Sequence, residues 1–380
     1  IFKKFSKDLG KFFLLSSLSV TLIVWVIQAV NFLDLVTEDG HGFSIYFQYT
    51  LLSLPKIFSK ILPFIYFASL FFIILKYENS NELIIFWTIG IKKIQFVNIL
   101  IKFSIFYLIL QIIFTTIIVP ASLDKARSFI RSSNVDFFAS IIKEKKFIDT
   151  VKNLTMFIEE KDKNGNLKNI FLKEKFGEDN SQIIYAQTGK IINRNNTNVL
   201  TLYDGKILNN ENQKTTIIKF SKTELNLSRF STKTTTTPKM QEMSTNELIA
   251  CIFLLKNLSN SFFAKKFDKL SSNQNCQENK FKENIQEISK RIVVPLYIPI
   301  LSLIASLVII RSKDDYNFLK YKFLLFLFGV FVIIISEISI KYSSVSTFQN
   351  LLITLIPILL FIIIYIYFIK KFKMPNLANQ

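Results

Sequence analysis

Few residues in this chain have the types and spacing that chemistry requires. His41 is the single histidine. A hydrolytic triad or an imidazole-based metal site therefore cannot be assembled within one chain, and His41 is expected in a solvated loop. The Gly-Lys pairs at Gly10, Gly189 and Gly205 lack the upstream glycine of a phosphate-cradling G-x-x-x-x-G-K-[ST] loop. The chain is accordingly not expected to be an enzyme, to hold a metal or cofactor, or to hydrolyse nucleotide by itself. A disulfide between its two cysteines, Cys251 and Cys276, is permitted if their segment lies outside the cytoplasm, but the favoured reading is two unpaired thiols, because nothing in the sequence brings their Cα atoms within disulfide reach.

What remains is charge and polarity at places where they are costly or directional. Segment 78–92 reads Glu-Asn-Ser-Asn-Glu-Leu-Ile-Ile-Phe-Trp-Thr-Ile-Gly-Ile-Lys. Asn79 followed three residues later by Glu82 predicts an N-cap and a short helix near 79–91. Leu83, Phe86, Trp87 and Ile91 recur at three- and four-residue steps. They give an apolar face beside an acidic turn, which could dock in a groove of a cytoplasmic partner or rest on the membrane. Gln28, Asn31 and Asp34 recur every three residues, and Glu337 precedes Lys341 in the i,i+4 order that favours an ion pair. With Lys56 and Lys60, these groups are either interfacial polar residues or the lining of a cavity open to an amphiphile with charged head groups.

The elements that must position these groups are membrane spans. Half of the residues are hydrophobic and 40 are Phe. Apolar runs at 12–33, 52–75, 96–119, 292–310, 323–340 and 351–369 approach the roughly 20 residues that cross a bilayer. Six spans put both termini on one side. Lys3, Lys4, Lys7 and Lys11, then Lys76, Lys92 and Lys93, then Arg311, Lys313, Lys320 and Lys322, and finally Lys370, Lys371 and Lys373 all fall on that side, which the positive-inside rule makes cytoplasmic. The formal charge of +19 is thus accounted for by membrane topology, and nucleic-acid binding is not expected. No small-residue cleavage pattern follows the first span, so it is expected to be retained.

After Pro120 the hydrophobic runs stop. Segment 121–142 reads as a polar helix or linker. From 146 to 227, short stretches rich in Ile, Phe, Thr, Tyr and Val alternate with turn residues, which predicts about eight strands of an antiparallel sandwich or jelly roll. Asn164-Gly165 and Asp204-Gly205 are predicted as tight hairpins. A Thr-rich linker covers 231–238, and Ser244 with Glu247 forms a capping box opening a helix to Leu255. The expected fold is therefore a six-span membrane α-helical protein with an inserted all-β, jelly-roll-like periplasmic domain. Its divisions are 1–120 for spans one to three, 121–290 for the insert with its flanking segments, and 291–380 for spans four to six.

The chain resembles the permease family of the lipopolysaccharide export system, the LptF/LptG type. The likeness rests on Trp25-Val-Ile-Gln-Ala-Val-Asn-Phe-Leu-Asp-Leu35, on Leu54-Pro55 with Leu62-Pro63, and on Val119-Pro120-Ala121. It also rests on Asn81-Glu-Leu-Ile-Ile-Phe-Trp-Thr-Ile-Gly90 set against the family's S-E-L-x-x-L-x-A-x-G coupling helix. Insert segments Leu154-Thr-Met-Phe-Ile-Glu-Glu, Ala186-Gln-Thr-Gly189 and Leu202-Tyr-Asp-Gly205, and Arg291-Ile-Val-Val-Pro295, also fit. Asn81 replaces the usual Ser, and Phe86-Trp87-Thr88 stand where smaller or basic residues are common.

The resemblance implies a bacterial inner-membrane subunit that pairs with a homologous six-span subunit on a cytoplasmic ABC ATPase dimer, which binds the ATP. It implies extraction of lipopolysaccharide and its transfer through the insert to a periplasmic jelly-roll bridge. Glu82 then meets a basic residue of the ATPase, with Leu83, Phe86 and Trp87 beside it. Spans one and five become lateral gates, with Gln28, Asn31, Asp34, Lys56, Lys60, Glu337 and Lys341 facing the lipid cavity or gate. The Gln28–Leu35 pattern favours the F over the G subunit. A membrane-anchored receptor with a periplasmic sensing domain is the alternative, and a self-sufficient secondary transporter a further rival.

Overall fold

A computed structural model describes residues 2–37, 42–132, 144–149, 153–162, 165–176, 180–194, 197–211, 214–227, 239–255, 274–343 and 346–373. His41, Asn164 and the 231–238 linker lie outside the described residues. Two compact units emerge: Ile1–Val26 with Ser53–Asp124 and Lys239–Gln380, and Ile27–Leu52 with Lys125–Pro238.

The first unit is helical, and the helical stretches within Ile27–Leu52 and 125–132 belong to the second. Six segments among the described residues are long and apolar enough to cross a membrane: Phe2–Val36, Phe43–Asn79, Lys93–Ile130, Glu278–Ile310, Phe318–Lys341 and Phe348–Phe372. All six apolar runs of the sequence fall within them. Helix α1 covers Phe2–Asn31, α2 Asp34–Thr37, α3 Phe43–Leu52, α4 Leu54–Asn79, α5 Glu82–Thr88, α6 Lys93–Ile113 and α7 Val119–Ser132, with a π-helical turn at Phe114–Ile118 between the last two. After the sheet come α8 Thr245–Leu255, α9 Phe281–Val293, α10 Ile298–Ser306, α11 Phe318–Lys341 and α12 Thr347–Lys373.

Helix α10 is the most enclosed, with every residue from Ile300 to Ser306 buried. It shares a core with Tyr66, Phe67 and Leu70 of α4 and with Phe96 and Leu100 of α6. Helix α11 approaches α4 closely at Gly329, where a Cβ would strike the Phe67 ring, so glycine is required there for packing. The capping box is present: the Ser244 amide donates to Glu247 Oε2 at 3.0 Å and the Glu247 amide to Ser244 Oγ at 3.2 Å.

The second unit is built on a six-stranded antiparallel sheet in sequential order: β1 Phe147–Ile148, β2 Leu154–Lys161, β3 Asn166–Lys175, β4 Ser181–Arg194, β5 Thr197–Glu211 and β6 Lys214–Asn226. One face is its core, with Met156, Ile158, Leu172, Ile184, Leu200, Leu202 and Leu225 buried. The opposite face carries a row of directly opposed residues, Phe147, Phe157, Phe171, Tyr185, Lys206 and Lys219.

The Asp204-Gly205 hairpin is corrected: both residues lie inside β5. Asp204 takes φ 47° and Asn169 φ 49°, and along this row the inward positions step by three instead of two, from Leu167 to Ile170, Ala186 to Gly189 and Leu202 to Gly205. The left-handed residues bend the sheet along one line, so a turn signal serves as a corner. The other hairpin stands at its described glycine: Gly165 has φ 76° and donates its amide to Asp162 at 2.9 Å. Beside the corner, Glu160 accepts from Lys168 at 3.0 Å, and this bond holds the Lys168 ammonium pKa above the usual lysine range.

Candidate functional site

Helix α4 ends where the sequence expected the next helix to begin. Asn79 belongs to its last turn, Ser80 closes it, and Asn81, at φ 60° and ψ 12°, turns the chain into α5. Asparagine tolerates this left-handed conformation better than most residues, so the N-cap position is Asn81 rather than Asn79. At the far end Gly90 takes φ 88°, and the Ile91 amide reaches back to the Phe86 carbonyl at 3.0 Å. This is a glycine-terminated helix end.

Seven residues cannot hold a helix in water by themselves. Helix α5 is kept by its packing, and here the expected docking face is corrected. Leu83 and Phe86 are buried. Phe86 meets Phe2 at 5.2 Å and Phe96 at 5.3 Å between ring centroids, and Trp87 meets Phe96 at 5.8 Å. Ile84, Ile85 and Ile89 are the exposed ones. Burying a Leu and a Phe is worth about 1.5–3 kcal/mol each, so the better-patterned face goes to the protein's own core.

Glu82 sits in the first turn, where a carboxylate complements the helix dipole. It accepts a hydrogen bond from Lys4 Nζ at 2.8 Å on one oxygen and from the Ser80 hydroxyl at 3.4 Å on the other. Two further bonds tie the neighbouring chain to the segment after α10: the Lys313 amide donates to Glu78 Oε1 at 3.3 Å, and Lys93 Nζ to the Ile309 carbonyl at 3.1 Å.

The opposite end of α4 lines a small polar chamber of about 70 Å³, bordered by Lys56, Lys60, Lys290, Arg291, Glu287 and Glu337. Lys56, Lys60 and Glu337, named from the sequence, are brought together there. Four cations face two carboxylates, and Gln111, also in the lining, donates to the Ser59 carbonyl at 2.8 Å. Lys341 lies one turn beyond Glu337 and is exposed. The expected Glu337–Lys341 ion pair does not form among the described residues. Both side chains are exposed, and a surface pair recovers little of the entropy it costs. Gln28 is half-buried while Asn31 and Asp34 are exposed. They fall in the other compact unit, at the junction of α1 with α2.

Arg291, which the sequence singled out only within a family motif, organises the chamber wall. It is 2 % exposed and donates to Glu287 Oε1 at 3.1 Å, to Thr245 Oγ1 at 2.9 Å and to the carbonyls of Met243 at 3.0 Å and Gln241 at 3.3 Å. Thr245 in turn donates to the Thr116 carbonyl at 2.7 Å, and Thr115 to the Arg291 carbonyl at 2.9 Å. The π-helical turn thus presents backbone and hydroxyl groups to the returning chain, a common use of such turns. An arginine opening an apolar run was the available signal.

The cysteine expectation is also corrected. Cys251 of α8 and Cys276 form a disulfide with Cα atoms 5.2 Å apart. Both are buried beside Met243 and Leu248, so packing of α8 against the chain before α9 supplies the proximity.

Among the described residues no group of three or more His, Cys, Asp or Glu is placed to hold a metal ion. The chain is 27 % identical over 190 residues to an uncharacterized protein of Rickettsia prowazekii (strain Madrid E), over 50 % of this chain and 52 % of that protein. The chain thus spans about half the length of the curated relative it matches. The model of the family described as lipopolysaccharide export system permease LptF/LptG matches residues 5–371. Six apolar helices, an inserted antiparallel sheet and a family match over nearly the whole length make this chain a member of the LptF/LptG permease family.

Proposed function

We propose that this chain is one permease subunit of an ABC-type lipopolysaccharide exporter of the bacterial inner membrane, with both termini cytoplasmic and the sheet domain periplasmic. A homologous six-span subunit pairs with it, and a cytoplasmic ATPase dimer docks on α5. The insert passes lipid to a periplasmic jelly-roll bridge.

The observation that carries this reading is the construction of α5. It is too short to stand alone, is anchored by Leu83 and Phe86, and presents a carboxylate beside the exposed Ile84, Ile85 and Ile89. A helix held in this way moves with the spans, so force applied to its outer face reaches α1, α4 and α6. Helix α4 spans about 35 Å at 1.5 Å per residue between this joint and the polar chamber. ATP-driven closure at one end can therefore alter the chamber at the other, provided nucleotide favours one of two states. The cation excess would draw an anionic group to the mouth of the chamber, which at about 70 Å³ is too small to enclose a lipid head group. The Cys251–Cys276 disulfide agrees with an oxidising compartment for that end of the bundle.

The test is co-purification from membranes after mild detergent extraction, comparing wild type with Glu82→Arg and assaying ATP hydrolysis. An ATPase that accompanies wild type and is lost or uncoupled in the variant supports the exporter. Absence of any ATPase from both samples favours the sensing receptor and sinks this reading.

A further inference from the structure

Three carboxylates surround the α5 joint, and each is engaged differently. Asp8 accepts from the buried Tyr77 hydroxyl at 2.7 Å, and Glu78 from the Lys313 main-chain amide at 3.3 Å. Those donors are fixed by the fold. Glu82 instead accepts at 2.8 Å from Lys4, whose side chain is 64 % exposed while that of Glu82 is 29 % exposed. An ammonium on a flexible four-carbon stem returns to water at small cost. A guanidinium offering two parallel donors to the same carboxylate binds more strongly than the single lysine bond it would replace.

The backbone under Lys4 is not flexible in the same way. Phe2 and Phe5 on either side pack into the joint: Phe2 meets Phe86 at 5.2 Å, and Phe5 meets Tyr77 at 5.2 Å and Phe96 at 5.3 Å. Lys4 Nζ also stands over the Tyr77 ring at 5.9 Å. The first turn of α1 is therefore held against α4, α5 and α6 by aromatic contacts, while the Lys4 ammonium remains exchangeable.

We propose that Lys4 is an internal competitor at the docking joint: it pairs with the Glu82 carboxylate until a cation of the ATPase displaces it. The proposal rests on the reading of α5 as the ATPase docking helix. Docking then exchanges one ion pair for another, which keeps the association reversible. It also makes the start of α1 part of the docking surface.

The experiment titrates the ATPase dimer of the same cell onto the full chain, paired with its partner subunit in lipid nanodiscs. Wild type, Lys4→Gln, Lys4→Arg and Glu82→Gln are compared, with unfolding midpoints recorded alongside. Removing the internal competitor should tighten binding about 1.4- to fivefold, the range a surface ion pair spans when converted to a ratio of constants. Lys4→Arg should stay at or below wild-type affinity. Midpoints should be unchanged, which separates competition for Glu82 from an effect on folding. Unchanged or weaker binding by Lys4→Gln, with Glu82→Gln still impaired, overturns the role of Lys4 alone. Full binding by Glu82→Gln overturns the docking role of Glu82, and the proposal falls with it.

Discussion

Arg291→Met is the most informative structural perturbation. It keeps the apolar stem and removes a guanidinium that makes four hydrogen bonds while only 2 % exposed. It also leaves Glu287, whose side chain is 17 % exposed, without its cation. Removing one member of a buried ion pair costs about 3–5 kcal/mol. For a unit of this size that corresponds to roughly 6–20 °C in the unfolding midpoint. Much of the loss is the orphaned carboxylate, so adding Glu287→Gln should restore about 1–3 kcal/mol. Glu287→Gln alone should cost less than Arg291→Met, because Arg291 keeps Thr245 and two carbonyls. Thermal unfolding in detergent at a fixed scan rate reads all four proteins of this cycle. A single variant that unfolds with wild type, or a double variant carrying the summed losses of both singles, would refute the role assigned to Arg291.

Other expectations follow from the same packing. Cys251→Ser should destabilise by about 3 kcal/mol, the chain-entropy value for closing a loop of this order, and alkylation followed by mass spectrometry should find both thiols blocked only after reduction. Gly329→Leu should cost about 1–3 kcal/mol by overpacking against Phe67, with Phe67→Leu recovering part of it; equal midpoints for wild type and Gly329→Leu would refute the close approach. Ile85→Asp should leave the chain folded and abolish ATPase docking. Leu83→Asp, at a fully buried position, should prevent stable insertion altogether, which expression level and gel filtration would report.

The membrane spans were legible because apolar runs of bilayer length have few other uses. The capping box at Ser244 was legible for a similar reason, since its two bonds are local. The face of α5 was not. Ile84, Ile85 and Ile89 are as apolar as Leu83 and Phe86, so the helix is hydrophobic nearly all round and its periodicity does not reveal which side meets the core. Asp204-Gly205 misled because positive φ is shared by hairpin turns and by a bend within a strand. The cysteine pair was invisible because proximity across 25 residues of sequence depends on how α8 packs, not on spacing. Lys4 carried no signal beyond topology: its partner lies 78 residues away.

Conversion of ATPase closure into lipid movement by α5 is the step on which the proposed function stands, and reconstitution measures it. Vesicles containing the two permease subunits, the ATPase and lipopolysaccharide would be supplied with ATP, and release to the soluble bridge measured for wild type and Glu82→Arg. ATP-dependent release by wild type, lost in the variant although its subunits still pair, is the expected result. Equal release from both would contradict a coupling role for Glu82, and release without the ATPase would contradict an ABC-driven permease altogether.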